Sequence, residues 1–207
     1  MVNANNKTID RRNAVSKLLD ARDGALVVTG LGSPSYDVHA HSDSDDNYYL
    51  WGAMGGAALT GLGLAQAQKN KRVMVITGDG EQLMAFGSLA TIAVARPANL
   101  GIIVLDNQHF GETGMQESHT GFGIDLAAVA KSCGFVQTAC LLTIEEVDEL
   151  CNTLRLPAGG PRLFVLKIEA RNLPRSLPPR DAAYIKTRFR KYLGLSLIHI
   201  SEPTRPY

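Results

Sequence analysis

The chain has 207 residues, 45% of them hydrophobic, and its 21 Lys and Arg against 20 Asp and Glu leave a formal net charge of +1. That length supports one substantial core and is too short for two full-sized domains, and a near-neutral charge without a basic stripe gives no electrostatic case for nucleic acid or an anionic membrane surface. No apolar run reaches the roughly 18 residues of a membrane span, no charged-then-apolar leader opens the sequence, and Cys133, Cys140 and Cys151 lack C-x-x-C spacing, so the expectation is a cytoplasmic protein with free or buried thiols.

Taken in order, the elements alternate. Residues 9–21 carry Ile9, Ala14, Val15, Leu18 and Leu19 at helical spacing, with Thr8 as the expected N-cap. Residues 25–29 (ALVVT) form a strand, and 54–69 a helix whose glycines permit close packing on a sheet, which offsets their poor helix propensity. Strand 72–77 (RVMVIT) runs into Gly78-Asp79-Gly80, read as a glycine turn; helix 83–95 follows, and then strand 100–105 (LGIIVL), which runs into Asp106-Asn107. Helices are expected at 125–133 and 144–154, the second opened by a Thr143-x-x-Glu146 capping box. Residues 162–168 (RLFVLKI) read as the last strand. The basic segment 180–192 reads as an amphipathic helix with Ala183, Ile185, Phe189 and Leu193 toward one side, closing the sheet or meeting a partner. Residues 196–207 (SLIHISEPTRPY) break the pattern and read as translated adapter or cloning sequence, leaving a single domain over 1–195. The alternation predicts an α/β fold, a mainly parallel sheet with helices on both faces and ligands at the carboxyl ends of the strands.

The polar residues of greatest interest fall at two such strand ends. Carboxylate, amide and carbonyl oxygens suit Mg²⁺, which completes its octahedron with substrate phosphates and water; Asp79, Asn107 and the carbonyl of His109 could supply three such ligands.

Gly78-Asp79-Gly80 followed one strand later by Asn107 resembles the cofactor-binding domain of thiamine diphosphate enzymes, although the first residue of the usual Asn-Asn pair is here Asp106. Tyr49-Leu50-Trp51-Gly52-Ala53-Met54-Gly55 resembles the segment that bends the cofactor in that family, which makes Met54 the implied wedge and Gly52 the implied carbonyl for the aminopyrimidine. The run from Gly78 to Gln116 is most similar to the small, beta subunits of phosphonopyruvate and sulfopyruvate decarboxylases. The resemblance implies thiamine diphosphate and Mg²⁺ as cofactors and a cradle made of Gly30, Ser33 or Ser35, Gly78 and Gly80. It also implies decarboxylation of a small 2-oxo acid. Backbone N–H groups of 28–33 (VTGLGS) could bind phosphate oxygens, whereas Glu81, standing where the family often has a small residue, has to point away from a diphosphate. Glu112, Thr113 and His119 are the candidate catalytic residues, with His109 placed to favour an anionic substrate group. The family's principal glutamate comes from a pyrimidine-binding domain for which this chain has no room. The resemblance therefore implies a pyrimidine-binding alpha subunit as partner, in a homo- or hetero-oligomer. GETGMQ departs from the family's Ser- or Thr-containing loop, so the identity of the 2-oxo acid is not carried over. Two other readings stand beside this one, an acetolactate synthase-like carboligase subunit and a non-catalytic binding module that retained the fold.

Overall fold

The computed structural model describes residues 8–195. Its helices are α1 (Arg11–Asp20), α2 (Ser33–His41), α3 (Ala57–Ala67), α4 (Asp79–Met84), α5 (Ser88–Ala95), α6 (Leu126–Cys133), α7 (Ile144–Arg155) and α8 (Ala182–Tyr192). The strands are β1 (Leu26–Thr29), β2 (Asn47–Tyr49), β3 (Val73–Gly78), β4 (Leu100–Asp106), β5 (His109–Phe110), β6 (Gln116–Glu117), β7 (Gln137–Leu141) and β8 (Arg162–Lys167). Six strands make one parallel sheet in the order β2-β1-β3-β4-β8-β7, and β5 and β6 form a separate antiparallel hairpin. The α/β expectation from the sequence therefore holds.

Both faces of the sheet are covered because its strands are apolar on both sides. Val27, Met74, Ile76, Ile103, Leu105, Phe164 and Leu166 turn toward one core with residues of α1, α2 and α7. The alternating set Leu26, Val28, Val73, Val75, Ile102, Val104, Leu163 and Val165 faces a second core with α3, α5 and α6. From β1 the chain moves outward to β2 and then returns past β1 to β3. The carboxyl ends of β1 and β3 therefore flank the point where strand order reverses, and a ligand crevice opens there.

Several boundaries differ from the sequence expectation. The N-cap of α1 is Asp10, whose carboxylate accepts from Asn13 N at 2.8 Å; Thr8 lies outside, because Ile9 instead bridges to Ile168 beside the sheet. The glycine turn at 78–80 is the start of a helix, with Asp79 and Gly80 as the first residues of α4. Expected helix 83–95 breaks in two around Gly87, and 54–56 stay outside α3, with Gly55 at φ 91. The Thr143 and Glu146 capping box forms as expected. On α8, Ile185 and Phe189 are buried and Leu193 packs against the second core, but Ala183 is exposed; Arg188 takes the remaining buried position through two 2.8 Å bonds to Asp43. Residues 196–207, read as an adapter-derived tail, lie outside the described residues, as do 1–7. Among the described residues, no helix is long and apolar enough to cross a membrane.

Close approach of a glycine-bearing helix is real at one position only. A Cβ on Gly61 would sit 2.2 Å from Val75 Cγ2, whereas one on Gly63 meets nothing. Gly61→Ala is expected to destabilise by about 1–3 kcal/mol through overpacking against a fixed strand residue. Gly63→Ala on the exposed face is expected to stabilise by about 0.5–1 kcal/mol, and urea denaturation of the pair reads both signs.

Candidate functional site

At the reversal point a cavity of about 280 Å³ is lined by Arg11, Leu31, Ser33, Pro34, Met54, Gly78, Asp79, Gly80, Glu81, Leu105, Asn107, His109, Phe110, Gly111, Glu112, Thr113 and Ile168. Of the residues expected at the site, Ser33, Met54, Gly78, Asp79, Gly80, Asn107, His109, Glu112 and Thr113 are brought together here.

Asp79 enters from the end of β3 as the first residue of α4, where the positive end of a helix favours a carboxylate. It is 2% exposed. Its Oδ2 accepts from Ser118 Oγ and lies 3.2 Å from Thr120 Oγ1, which also donates to Asp106 Oδ1 at 2.7 Å. Burial pushes the Asp79 carboxyl above its ordinary range, and the Asp106 carboxylate adds to that push while the hydroxyls oppose it. Asp106 is equally buried but pairs with Lys167. Asp79 has no cationic partner among the described residues. A buried carboxylate bonded by two hydroxyls and its own backbone N–H, with no cation beside it, has the chemistry a cation would satisfy.

Asn107 follows β4 in a tight turn. Its Oδ1 accepts from His109 N at 3.0 Å, His109 Nδ1 donates to the Asn107 carbonyl at 2.8 Å, and Gln108 between them takes φ 62. The hard oxygens of Asp79 and Asn107 thus share one cavity, an arrangement that fits Mg²⁺. Among the described residues no three His, Cys, Asp or Glu gather to hold a metal, so any ion here relies on this mixed set and on its ligand's own oxygens.

The β5–β6 hairpin makes the site, and its contribution was the least visible in the sequence. It folds Phe110 over Gly80, where a Cβ would lie 2.5 Å from Phe110 Cε1, and returns the chain so that Ser118 N donates to Gln108 O at 2.7 Å. Ser118 and Thr120 then point inward to Asp79 while His119 between them is exposed. Strand alternation gives no signal for this facing, because 119–120 already belong to the turn closed by Gly121 N donating to Ser118 O at 2.9 Å. His119 lines a shallower hollow with Leu83, Met84, Phe86 and Ile124, adjoining the cavity through Gly80 and Phe110.

The loop after β1 also differs from expectation. Ser35 is fully buried, donates to Gly30 O at 2.7 Å and meets Thr29 Oγ1 at 2.6 Å, so its hydroxyl is not free for a phosphate. Gly30 lies off the cavity wall beside Glu81, whose Oε2 would be 2.0 Å from a Cβ at position 30. Glu81 stays on the cavity wall, but its carboxylate is engaged: it accepts from Leu31 N at 2.8 Å and Ala57 N at 3.3 Å, tying the β1 loop to the start of α3. Burial raises its pKa and those backbone donors oppose the shift. Glu81→Ala would strand two backbone donors and is expected to cost about 2 kcal/mol in urea denaturation.

Met54 stands at the mouth, 41% exposed, while Gly52 is exposed at φ 73 and lies outside the lining. Glu112 packs on Gly32, pairs with Arg175 at 3.0 Å and lies 3.5 Å from the hydroxyl of Tyr36. Burial raises the Tyr36 pKa and the Glu112 carboxylate raises it further. Thr113 Oγ1 stays within its own loop, 3.1 Å from Gln116 Oε1.

Residues 31–167 match the family described as thiamine pyrophosphate enzyme, C-terminal TPP binding domain. The chain is similar to the sulfopyruvate decarboxylase subunit beta of Methanothermobacter thermautotrophicus, with 36% identity over 88% of this chain and 95% of that one. It is also similar to the phosphonopyruvate decarboxylase of Streptomyces viridochromogenes, 36% identical over 83% of this chain but spanning only 43% of that protein. A solved structure of a Rhodococcus jostii thiamine diphosphate-dependent 4-hydroxybenzoylformate decarboxylase shares the fold, with a TM-score of 0.66 and 18% identity over 78% of this chain and 33% of that one.

Proposed function

The chain belongs to the thiamine pyrophosphate enzymes as a carrier of their C-terminal TPP-binding domain, and we propose that it is the cofactor-binding subunit of a Mg²⁺-dependent decarboxylase acting on a small 2-oxo acid of the sulfopyruvate or phosphonopyruvate kind. The observation that carries this reading is the buried Asp79 carboxylate, oriented by Ser118 and lacking a cation among the described residues, in one cavity with Asn107. The relative called a beta subunit, matched over 95% of its length, supports a separate chain as the source of the remaining catalytic groups.

Asp79 and Asn107, with the carbonyl of His109, would hold Mg²⁺ on a diphosphate, and Ser33 at the start of α2 would offer a hydroxyl and backbone N–H groups to its oxygens. When bound, thiamine diphosphate supplies the electron sink that lets a 2-oxo acid lose CO₂. The protein's own share is positional. Leu31, Leu105, Phe110 and Ile168 give the cavity apolar walls, and Met54 at the mouth would prop the cofactor's rings. Glu112 and Thr113 flank the same mouth and His119 the adjoining hollow, positions from which they would meet a substrate entering between this chain and its partner. Calorimetric titration with thiamine diphosphate tests the reading: heat is expected with Mg²⁺ and not without it, and equal heat in both would overturn the metal role.

A further inference from the structure

Resting on that reading, we infer that Arg11 is an oxyanion clamp of the cavity that grips the terminal phosphate of the diphosphate. Arg11 is the first residue of α1 and only 6% exposed, yet its side chain forms part of the cavity wall. Its Nε is bonded to Asp37, which is fully buried, and Asp37 Oδ1 also accepts from Arg12 Nε at 3.1 Å and Nη2 at 3.0 Å. Two guanidiniums thus share one carboxylate, and the group keeps a net positive charge. Neither Nη1 nor Nη2 of Arg11 has a hydrogen-bond partner among the described residues, and neither is sealed off as a buried orphan.

The charges on the wall argue for the ligand. Asp79, Glu81 and Glu112 are acidic, and Arg11 is the one Lys or Arg among the described residues that line the cavity. A diphosphate neutralised only in part by one Mg²⁺ keeps negative charge, and a planar guanidinium anchored through Nε can present both terminal nitrogens to it as a fork. Arg11 opens α1 and lines the same cavity as Gly78, Asp79 and Asn107 at the strand ends, the part of the site with the phosphate-binding chemistry.

The test uses the full chain and inorganic pyrophosphate with Mg²⁺, followed by calorimetry. Arg11→Met is expected to weaken binding about 10- to 100-fold, the scale of a lost charged hydrogen bond, and Arg11→Lys to recover part of that loss. Arg12→Met, which disturbs the same carboxylate from outside the cavity, is expected to change affinity less than about 3-fold. Asp37 keeps its Arg12 bonds in Arg11→Met, and if that variant still fails to fold, Arg11→Lys against wild type decides: unchanged affinity overturns the clamp. Equal affinity in Arg11→Met and wild type, with binding lost in Asp79→Ala, overturns the clamp and leaves the cofactor reading standing. Absence of pyrophosphate binding in wild type overturns both. A loss confined to sulfopyruvate binding, with pyrophosphate unaffected, would assign Arg11 to the substrate's anion and also overturn the clamp.

Discussion

Asp79→Ala is expected to abolish Mg²⁺-dependent binding of thiamine diphosphate without unfolding the protein. Loss of a group that merely orients a metal ligand weakens metal affinity by about 10- to 100-fold, so loss of the ligand itself is expected to exceed about 100-fold. Ser118→Ala, which removes a hydroxyl donor to Asp79 Oδ2, is expected at about 10-fold. Stability should move the other way. Asp79 is a buried carboxylate with no cation among the described residues, and removing an uncompensated charge relieves a desolvation cost. The stranded hydroxyls of Ser118 and Thr120 already lie 2.9 Å apart and can satisfy one another. The sign with pH follows from the raised pKa. The folded metal-free chain holds the Asp79 proton more tightly than the unfolded chain, so its stability falls as pH rises from the ordinary carboxylate range through the raised value. Asp79→Ala removes that share of the pH dependence, and denaturation at several pH values without metal reads it. A variant that lost binding and stability together would make Asp79 a structural residue rather than a metal ligand.

How much of this was legible in the sequence depended on how local each determinant is. The apolar runs that became β1, β3, β4 and β8 were read within a residue or so, because a strand buried on both faces leaves a continuous hydrophobic stretch. β7 was missed: Gln137–Leu141 is an edge strand, mostly exposed, and carries no such run. α2 was missed because Ser33-Pro34-Ser35 reads as a turn, whereas Pro34 at the first turn of a helix is well placed. Asp79, Asn107 and Met54, which line one cavity, were singled out in the sequence because their residue types are tied to metal and cofactor chemistry at fixed places along the chain. Arg11, Ser118 and Thr120 were not, because what makes them matter is long-range: an arginine at the head of the first helix reaches the cavity only once α1 packs beside α2, and two hydroxyls reach Asp79 only once the hairpin closes. Glu81 was flagged as an electrostatic problem, and the structure resolves it by spending the carboxylate on Leu31 and Ala57.

Purified alone, the chain is expected to release no measurable aldehyde from sulfopyruvate or phosphonopyruvate, and a pyrimidine-binding chain is expected to raise the rate by about 100-fold or more, the scale of one positioned acid or base. The mouth of the cavity gives the physical reason. Met54 is 41% exposed, Met84 64%, Phe86 43% and Ile124 42%. They are neighbours, since a Cβ on Gly55 would touch both Met84 and Ala85, and Met84, Phe86 and Ile124 share the hollow beside His119. An apolar rim around a polar site would leave the rings of a cofactor bound there partly in water, and a second chain that covered it would dry the site and bring its own proton-transfer group. Two variants separate covering from cofactor binding. Met84→Asp is expected to keep Mg²⁺-dependent pyrophosphate affinity within about 3-fold, because it lies outside the cavity lining, while losing the complex on size-exclusion chromatography and with it the activity. Asp79→Ala is expected to assemble normally and remain inactive. Mixing the two restores nothing if each site draws its metal and its apolar rim from the same copy of this chain, so recovered activity in the mixture would show that neighbouring copies share the work and would sink the one-chain, one-partner arrangement.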